Sequence, residues 1–202
     1  MKIIGITGGI GSGKSYVASV TAKYFPVLHV STDDIAKEQM KKGGISYDMV
    51  VKTFGDICPQ LLDEDGEINR AALSKTVFSD NSLLDMLNSI THPNVISELK
   101  SIIEREEKKG FYSAVLIETA LIFESGIDKM CDSVWDVYAS LNCRKRRLKA
   151  SRGYSEEKIE SILDDQLDEE EFKKKSDIVI VNDDSTDIRD LIISIDKALK
   201  SL

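Results

Sequence analysis

Metal-binding and redox side chains are scarce in this 202-residue sequence. It holds three cysteines, Cys58, Cys131 and Cys143, widely spaced and outside any Cys-x-x-Cys pair, and two histidines, His29 and His92. That set builds no zinc-ligand constellation, and such thiols fit a reducing compartment. Positive charge is also short: 27 Lys and Arg against 35 Asp and Glu leave a net charge of −8. General nucleic-acid binding needs a broad basic footprint and is not the expected role. No apolar run approaches the length of a membrane span, so no membrane partner is expected either. The apolar N-terminal segment is too short for a signal peptide and runs straight into a glycine loop, which makes the cytoplasm the expected location. Internal repeats and low-complexity linkers are absent. A chain of this length then holds one sizeable α/β domain, or a core with an inserted lid.

What is present starts at the N-terminus. Gly8-Gly9-Ile10-Gly11-Ser12-Gly13-Lys14-Ser15 fits G-x-x-x-x-G-K-[ST] at every fixed position. Before it, Lys2–Thr7 reads as a short buried strand; after it, Tyr16–Tyr24 reads as a helix. Glycines let the loop backbone turn its N–H groups inward toward phosphate oxygens, and the helix that follows adds the positive end of its dipole. Lys14 is expected to reach the β- and γ-phosphates and the Ser15 hydroxyl to ligate Mg²⁺. A glycine-rich turn with an incidental Lys-Ser is the competing reading, and the strand–loop–helix context weighs against it. The loop predicts a nucleoside-triphosphate site.

Val27–Val30 is the next short apolar run and the expected second strand. Ser31-Thr32-Asp33-Asp34 follows, opening a helix in which Ser31, Thr32 or Asp33 could serve as N-cap. Asp33 lies at the C-terminal end of a strand, the edge where open parallel sheets bind ligands, so a chemical role competes evenly with capping. From Gly43 to Lys109 the pattern is mostly helical. Val50, Val51 and Phe54 predict a short helix closed by Gly55, and Leu61–Glu67 an acidic turn. Helices are expected over Arg70–Phe78 and Ser82–Glu107, with Pro93 breaking or kinking the second. Ser113–Glu118 reads as a third strand. Glu118 stands at the ligand-facing edge, where it is either a chemical carboxylate or a surface group ending the strand. Val134–Ala139 reads as strand four, with Asp136 out of place inside it.

A basic cluster comes next: Arg144, Lys145, Arg146, Arg147, Lys149 and Arg152. Not all can share one helix face, so some are solvated charge, Arg144 among them. Gly153 and an N-capping Ser155 then precede an acidic helix. A basic helix, a glycine hinge and an acidic helix predict a lid whose arginine stabilises charge on a transferring phosphoryl group. Ile178–Val181 is the final strand, ending at Asn182. An amphipathic helix with Ile188, Leu191, Ile192, Ile195 and Leu199 on its apolar face closes the chain. The predicted fold is three-layer α/β, a five-stranded parallel sheet with helices on both faces, an inserted helical substrate-binding region and a helical lid. The boundaries expected are a core of about residues 1–42, 111–140 and 176–202, an insertion of about 43–110 and a lid of about 141–175.

The phosphate loop alone leaves switch GTPases, ATPase motors and small-molecule kinases open. No Asn-Lys-x-Asp guanine-reading motif is present, and the chain is short for an oligomeric motor.

Further motifs carry a family resemblance. The opening GITGGIGSGKS, Thr32–Lys37, Leu62–Gly66, Asn69-Arg70 with Leu73 and Phe78, and His92-Pro93 resemble segments of the dephospho-CoA kinases. So do Leu121–Gly126 with Cys131-Asp132, Arg147-Leu148, Gly153, Gln166 and Ser176–Asn182, in order along essentially the whole chain. Three departures stand out: Ser31 replaces the first Asp of an Asp-x-Asp, Ala120 replaces a Pro, and Ser151 replaces a lid arginine, with Arg152 beside it. The resemblance implies a P-loop kinase that phosphorylates the ribose 3′-hydroxyl of dephospho-CoA with ATP and Mg²⁺. It implies Gly9, Ile10, Gly11, Ser12, Gly13, Lys14, Ser15, Tyr16 and Asn182 at the nucleotide, with Asp33 as base and Arg147 and Arg152 as lid candidates. Arg70, His92 and Glu124, with Asp33, are the acceptor-pocket candidates; His92 could equally be structural, tied to Pro93. Partners are then small molecules only. A monomer is the expectation, and an oligomer stays open. Another small-molecule kinase, or a nucleotide-binding switch without acceptor chemistry, remains the alternative.

Overall fold

The computed structural model describes residues 1–164 and 169–202. In chain order its elements are β1 (Lys2–Thr7), α1 (Lys14–Tyr24), β2 (Val27–Ser31), α2 (Thr32–Gln39), α3 (Tyr47–Phe54), α4 (Arg70–Val77), α5 (Asn81–Lys109) and β3 (Ala114–Glu118). A 3₁₀ turn (Ile127–Met130), β4 (Ser133–Tyr138), α6 (Leu141–Arg152), α7 (Glu156–Asp164), α8 (Glu169–Lys175), β5 (Ile178–Val181) and α9 (Ile188–Lys200) follow. The chain divides into two compact units, Met1–Ser31 with Glu106–Leu202, and Thr32–Arg105. No described helix is long and apolar enough to cross a membrane.

The first unit holds a five-stranded sheet in the order β2-β3-β1-β4-β5, every pairing parallel. Its strands are near-continuous apolar runs because both faces are covered. On one face Ile4, Ile6, Leu116, Trp135, Val137 and Ile180 pack with Val17, Ala18 and Val20 of α1 and Leu191, Ile195 and Ala198 of α9. Full burial of one such aliphatic side chain contributes about 1.5–3 kcal/mol. Ile188 of α9, expected on the apolar face, is 40% exposed: it is the first residue of the helix, beyond the reach of the core. On the opposite face the chain after β3 lies tight against β1, and a Cβ on Gly5 would sit 2.2 Å from Ile122 Cδ1 and 3.0 Å from Cys131 Sγ. With β3 on one side of β1 and β4 on the other, the strand order turns at β1, and ligands bind at such a switch point. Asp136, out of place inside a strand by sequence, stands next to the glycine loop. It pairs in register with Thr7 and is buried, and a Cβ on Gly8 would meet its Oδ1 at 3.1 Å, so it supports the loop that leaves β1.

The second unit is helical, apart from a Leu62–Ile68 bridge across the acidic turn. Its core gathers Val50, Phe54, Cys58, Leu61, Ile68, Leu73, Val77 and Ile90. Asn69 caps α4 by accepting from the Ala72 amide at 3.1 Å. Pro93 does not break α5, which is continuous from Asn81 to Lys109. The missing proline N–H costs one helix hydrogen bond, but Ile90 and Val95 on either side are both buried, and packing outweighs that loss.

The cysteines are all free, as the sequence suggests. Burial first, then Asp128, Asp132 and Asp177, push the Cys131 thiol up to about 12. Burial likewise raises Cys143. At pH 8 a group like Cys131 is thiolate in only about one molecule in ten thousand. Iodoacetamide at that pH is expected to leave Cys131 and Cys143 unmodified in the folded protein and to label both after denaturation, as read by intact mass and peptide mapping. Rapid labelling of Cys131 in the native state would contradict this burial.

Candidate active site

The glycine loop leaves β1 at the centre of the sheet and ends at α1, whose N-cap is Gly13. Gly13 takes φ 91°, and a Cβ there would lie 2.3 Å from Asn182 Nδ2, so only glycine fits. Asn182, buried just past β5, donates to the Ser12 carbonyl at 2.7 Å, and Arg147 Nη1 donates to the same oxygen at 3.1 Å. Lys14 Nζ donates to the Gly8 carbonyl at 2.6 Å and spans the loop from within. Gly9 to Tyr16 run from the loop into the first turn of α1, and Asn182 anchors the loop from the end of β5. Tyr16 lies on the first turn of α1, half exposed.

Arg144 departs from the sequence reading, which took it for solvated charge. Its Nε donates to the Ile10 carbonyl at 2.8 Å, and a Cβ on Gly9 would lie 2.3 Å from its Nη2. On α6, positions 144, 147, 148 and 151 recur at helical spacing, and the face carrying Arg144, Arg147 and Leu148 meets the phosphate loop. That periodicity is visible in the sequence. What it lies against is not, because the loop is over 130 residues away along the chain.

Ser15 opens a second arrangement. Its Oγ donates to Glu118 Oε1 at 2.5 Å, and the other carboxylate oxygen of Glu118 lies 2.8 Å from His29 Nε2. β2 and β3 pair with Ser31 beside Glu118 and His29 beside Leu116, which sets the histidine and the glutamate on the same sheet face. Burial pushes the Glu118 carboxyl up, but hydrogen bonds from His29 and Ser15, with His29 and Lys14 nearby, outweigh it and hold the group below its usual range. Glu118 is therefore an ionised, mostly buried carboxylate beside the phosphate-loop hydroxyl. A hydroxyl and a carboxylate oxygen next to a phosphate cradle match the hard-oxygen preference of Mg²⁺. His29 carried no functional signal in the sequence.

On α6 and α7 the opposite charges pair. Lys145 contacts Glu156 at 3.3 Å and Glu160 at 3.4 Å, Lys149 contacts Glu156, and Ser155 accepts from the Lys158 amide at 3.3 Å as the expected N-cap. Gly153 ends α6 in the left-handed conformation. Arg146 pairs with Asp184, and Arg147 lies 3.9 Å from that carboxylate. Arg152 faces elsewhere: its guanidinium carbon lies 5.8 Å from the centre of the Tyr154 ring. Gln166 lies outside the described residues.

Asp33 sits inside α2, second after Thr32, so it is a first-turn residue and not the cap. Its carboxylate is exposed, and among the described residues no hydrogen bond or ion pair occupies it; Asp34 next to it pairs with Lys37 at 2.9 Å. Arg70 is exposed at the start of α4. His92 is partly buried on α5, and burial pushes its pKa down. Asp33, Arg70 and His92 belong to the 32–105 unit, and Glu124, exposed after β3, to the other.

Comparison with known proteins gives the family and the fold. A family model described as dephospho-CoA kinase matches residues 2–187. A dephospho-CoA kinase of Carboxydothermus hydrogenoformans is 35% identical over 196 residues, 96% of this chain and 93% of that protein. The solved dephospho-CoA kinase of Campylobacter jejuni superposes with a TM-score of 0.68 at 25% identity, covering 100% of this chain and 97% of that one. Shikimate kinase from Acinetobacter baumannii, solved with shikimate, shares the fold at a TM-score of 0.57 and 16% identity, over 100% of this chain and 94% of that one.

Proposed function

Because the chain belongs to the dephospho-CoA kinase family, we propose that it transfers the γ-phosphoryl group of ATP to the ribose 3′-hydroxyl of dephospho-CoA, releasing CoA and ADP. The observation that carries this reading is the family match over residues 2–187, which takes in the phosphate cradle, Glu118 and α6 together.

Phosphoryl transfer asks little covalent chemistry of a protein, so positioning and charge do most of the work. The loop amides and Lys14 hold the triphosphate, while Asn182 and Arg147 fix the loop through the Ser12 carbonyl. Ser15 and Glu118 would hold Mg²⁺, which when bound neutralises charge on the β- and γ-phosphate oxygens. Asp33 accepts the proton of the acceptor hydroxyl as its oxygen bonds to the γ-phosphorus and the bond to the β-bridging oxygen breaks. Arg147 takes the role of the lid arginine that stabilises charge on the group in flight. Arg70, His92 and Glu124 serve the acceptor, the helical stretch of about residues 43–110 binds it, and about 141–175 closes over the nucleotide.

A coupled ADP-release assay tests the reading. Dephospho-CoA is expected to stimulate ATP consumption far above AMP, shikimate or adenosine, with CoA as the product by mass. Preference for AMP would overturn the acceptor assignment and leave the fold standing. ATP turnover indifferent to every acceptor would point to a nucleotide-binding switch.

A further inference from the structure

We propose that His29 is a positioning residue for the metal–nucleotide site, holding the Glu118 carboxylate in the orientation that leaves one of its oxygens at Ser15. The inference rests on the reading of Ser15 and Glu118 as the Mg²⁺-holding pair.

Glu118 ends β3, where its side chain has several torsions to lose and two oxygens to present. One oxygen accepts from Ser15 Oγ at 2.5 Å and the other contacts His29 Nε2 at 2.8 Å. An ionised carboxylate only accepts, so Nε2 carries the hydrogen. His29 reaches the carboxylate from β2, the edge strand, and Ser15 reaches it from α1, so two separate elements hold the group from opposite ends. Both partners are partly buried, the His29 side chain 26% and the Glu118 side chain 12% exposed. A hydrogen bond to an ionised acceptor in such a place is stronger than a neutral one and limits rotation of the carboxylate. Groups that orient a metal-holding carboxylate typically change metal affinity by about 10–100-fold when removed. His29 is paired with the Glu118 carboxylate, and its contribution passes through that group.

The test uses the full chain with a non-hydrolysable ATP analogue and Mn²⁺ as the probe, reading bound Mn²⁺ by electron paramagnetic resonance. His29→Leu, which fills the space without a donor, is expected to weaken Mn²⁺ binding about 10-fold or more. His29→Gln, whose amide can donate to the same oxygen, is expected to stay much closer to wild type. In the kinase assay His29→Leu is expected to raise the Mg²⁺ concentration for half-maximal rate, with kcat recovered at saturating Mg²⁺. Glu118→Gln is expected to weaken Mn²⁺ binding as well, and the double variant to add little, because the two residues act as one unit. Mn²⁺ binding unchanged in His29→Leu but weakened in Glu118→Gln would overturn the role of His29 alone. Binding unchanged in Glu118→Gln would overturn the underlying metal-site reading. Equal losses in His29→Leu and His29→Gln, tracking a common drop in Tm, would make His29 a packing residue and overturn the proposal.

Discussion

Asp33→Asn is expected to lower kcat by about 10²–10⁴-fold, the range a positioned general base contributes, while ATP binding stays close to wild type. A ribose hydroxyl attacks slowly until its proton has a destination, and Asn preserves the shape of the side chain while removing its basicity. The nucleotide cradle is untouched, since Gly13, Lys14 and Ser15 lie outside α2. The carboxylate is also available: it is exposed, and no described residue occupies it. Asp34→Asn is the matched control. Both aspartates stand in the first turn of α2, so both interact with the helix dipole in the same way, and a purely structural contribution would appear in both variants. Asp34 is already paired with Lys37, and its loss is expected to cost little rate. Single-turnover kinetics separates the chemical step from product release. A near wild-type single-turnover rate for Asp33→Asn would remove it from the mechanism.

Arg147→Ala is expected to lower kcat by on the order of 10³-fold, as loss of an arginine that stabilises transferring phosphoryl charge does. The sequence leaves Arg147 and Arg152 as rivals because the position expected to hold a lid arginine is Ser151. The structure separates their surroundings. Arg147 Nη1 is bonded to the Ser12 carbonyl of the phosphate loop, whereas Arg152 lies over the Tyr154 ring and Ser151 Oγ donates back to the Arg147 carbonyl at 2.7 Å. Arg152→Ala is therefore expected to stay within a few-fold of wild type, as befits an exposed cation–π contact. Arg144 is not a neutral control, since it grips the Ile10 carbonyl. Arg147→Lys keeps the charge but loses the planar fork, and is expected to recover only part of the rate. A large loss from Arg152→Ala with a small one from Arg147→Ala would assign the role to Arg152.

Much of this molecule was readable along the chain because its signals are local. The phosphate loop is eight consecutive residues whose glycines and Lys-Ser are defined by backbone geometry and phosphate chemistry. The strands are short apolar runs, and the cap at Ser155 acts within three residues of itself. Element type and parallel pairing followed from alternation of strands and helices. Local rules left two points open: at Pro93 the helix stays continuous, with buried residues on both sides, and the place of Asp136 in a strand makes sense only beside Gly8 and Thr7.

Tertiary structure alone decided which distant groups share a site. Ser15 and Glu118 are 103 residues apart, and His29 and Glu118 are 89 apart. They meet because β3 lies between β1 and β2, in a register that sets Glu118 beside Ser31 and Ile6. Strand order and register depend on how whole faces bury against one another, a sum over many weak apolar contacts that no single residue announces. For the same reason Arg144 and Arg152, alike as members of one basic cluster, part company in the fold. Arg144 and Arg147 reach the phosphate loop from the face of α6 that buries Leu148, whereas Arg152, the last residue of that helix, stands at the Tyr154 ring.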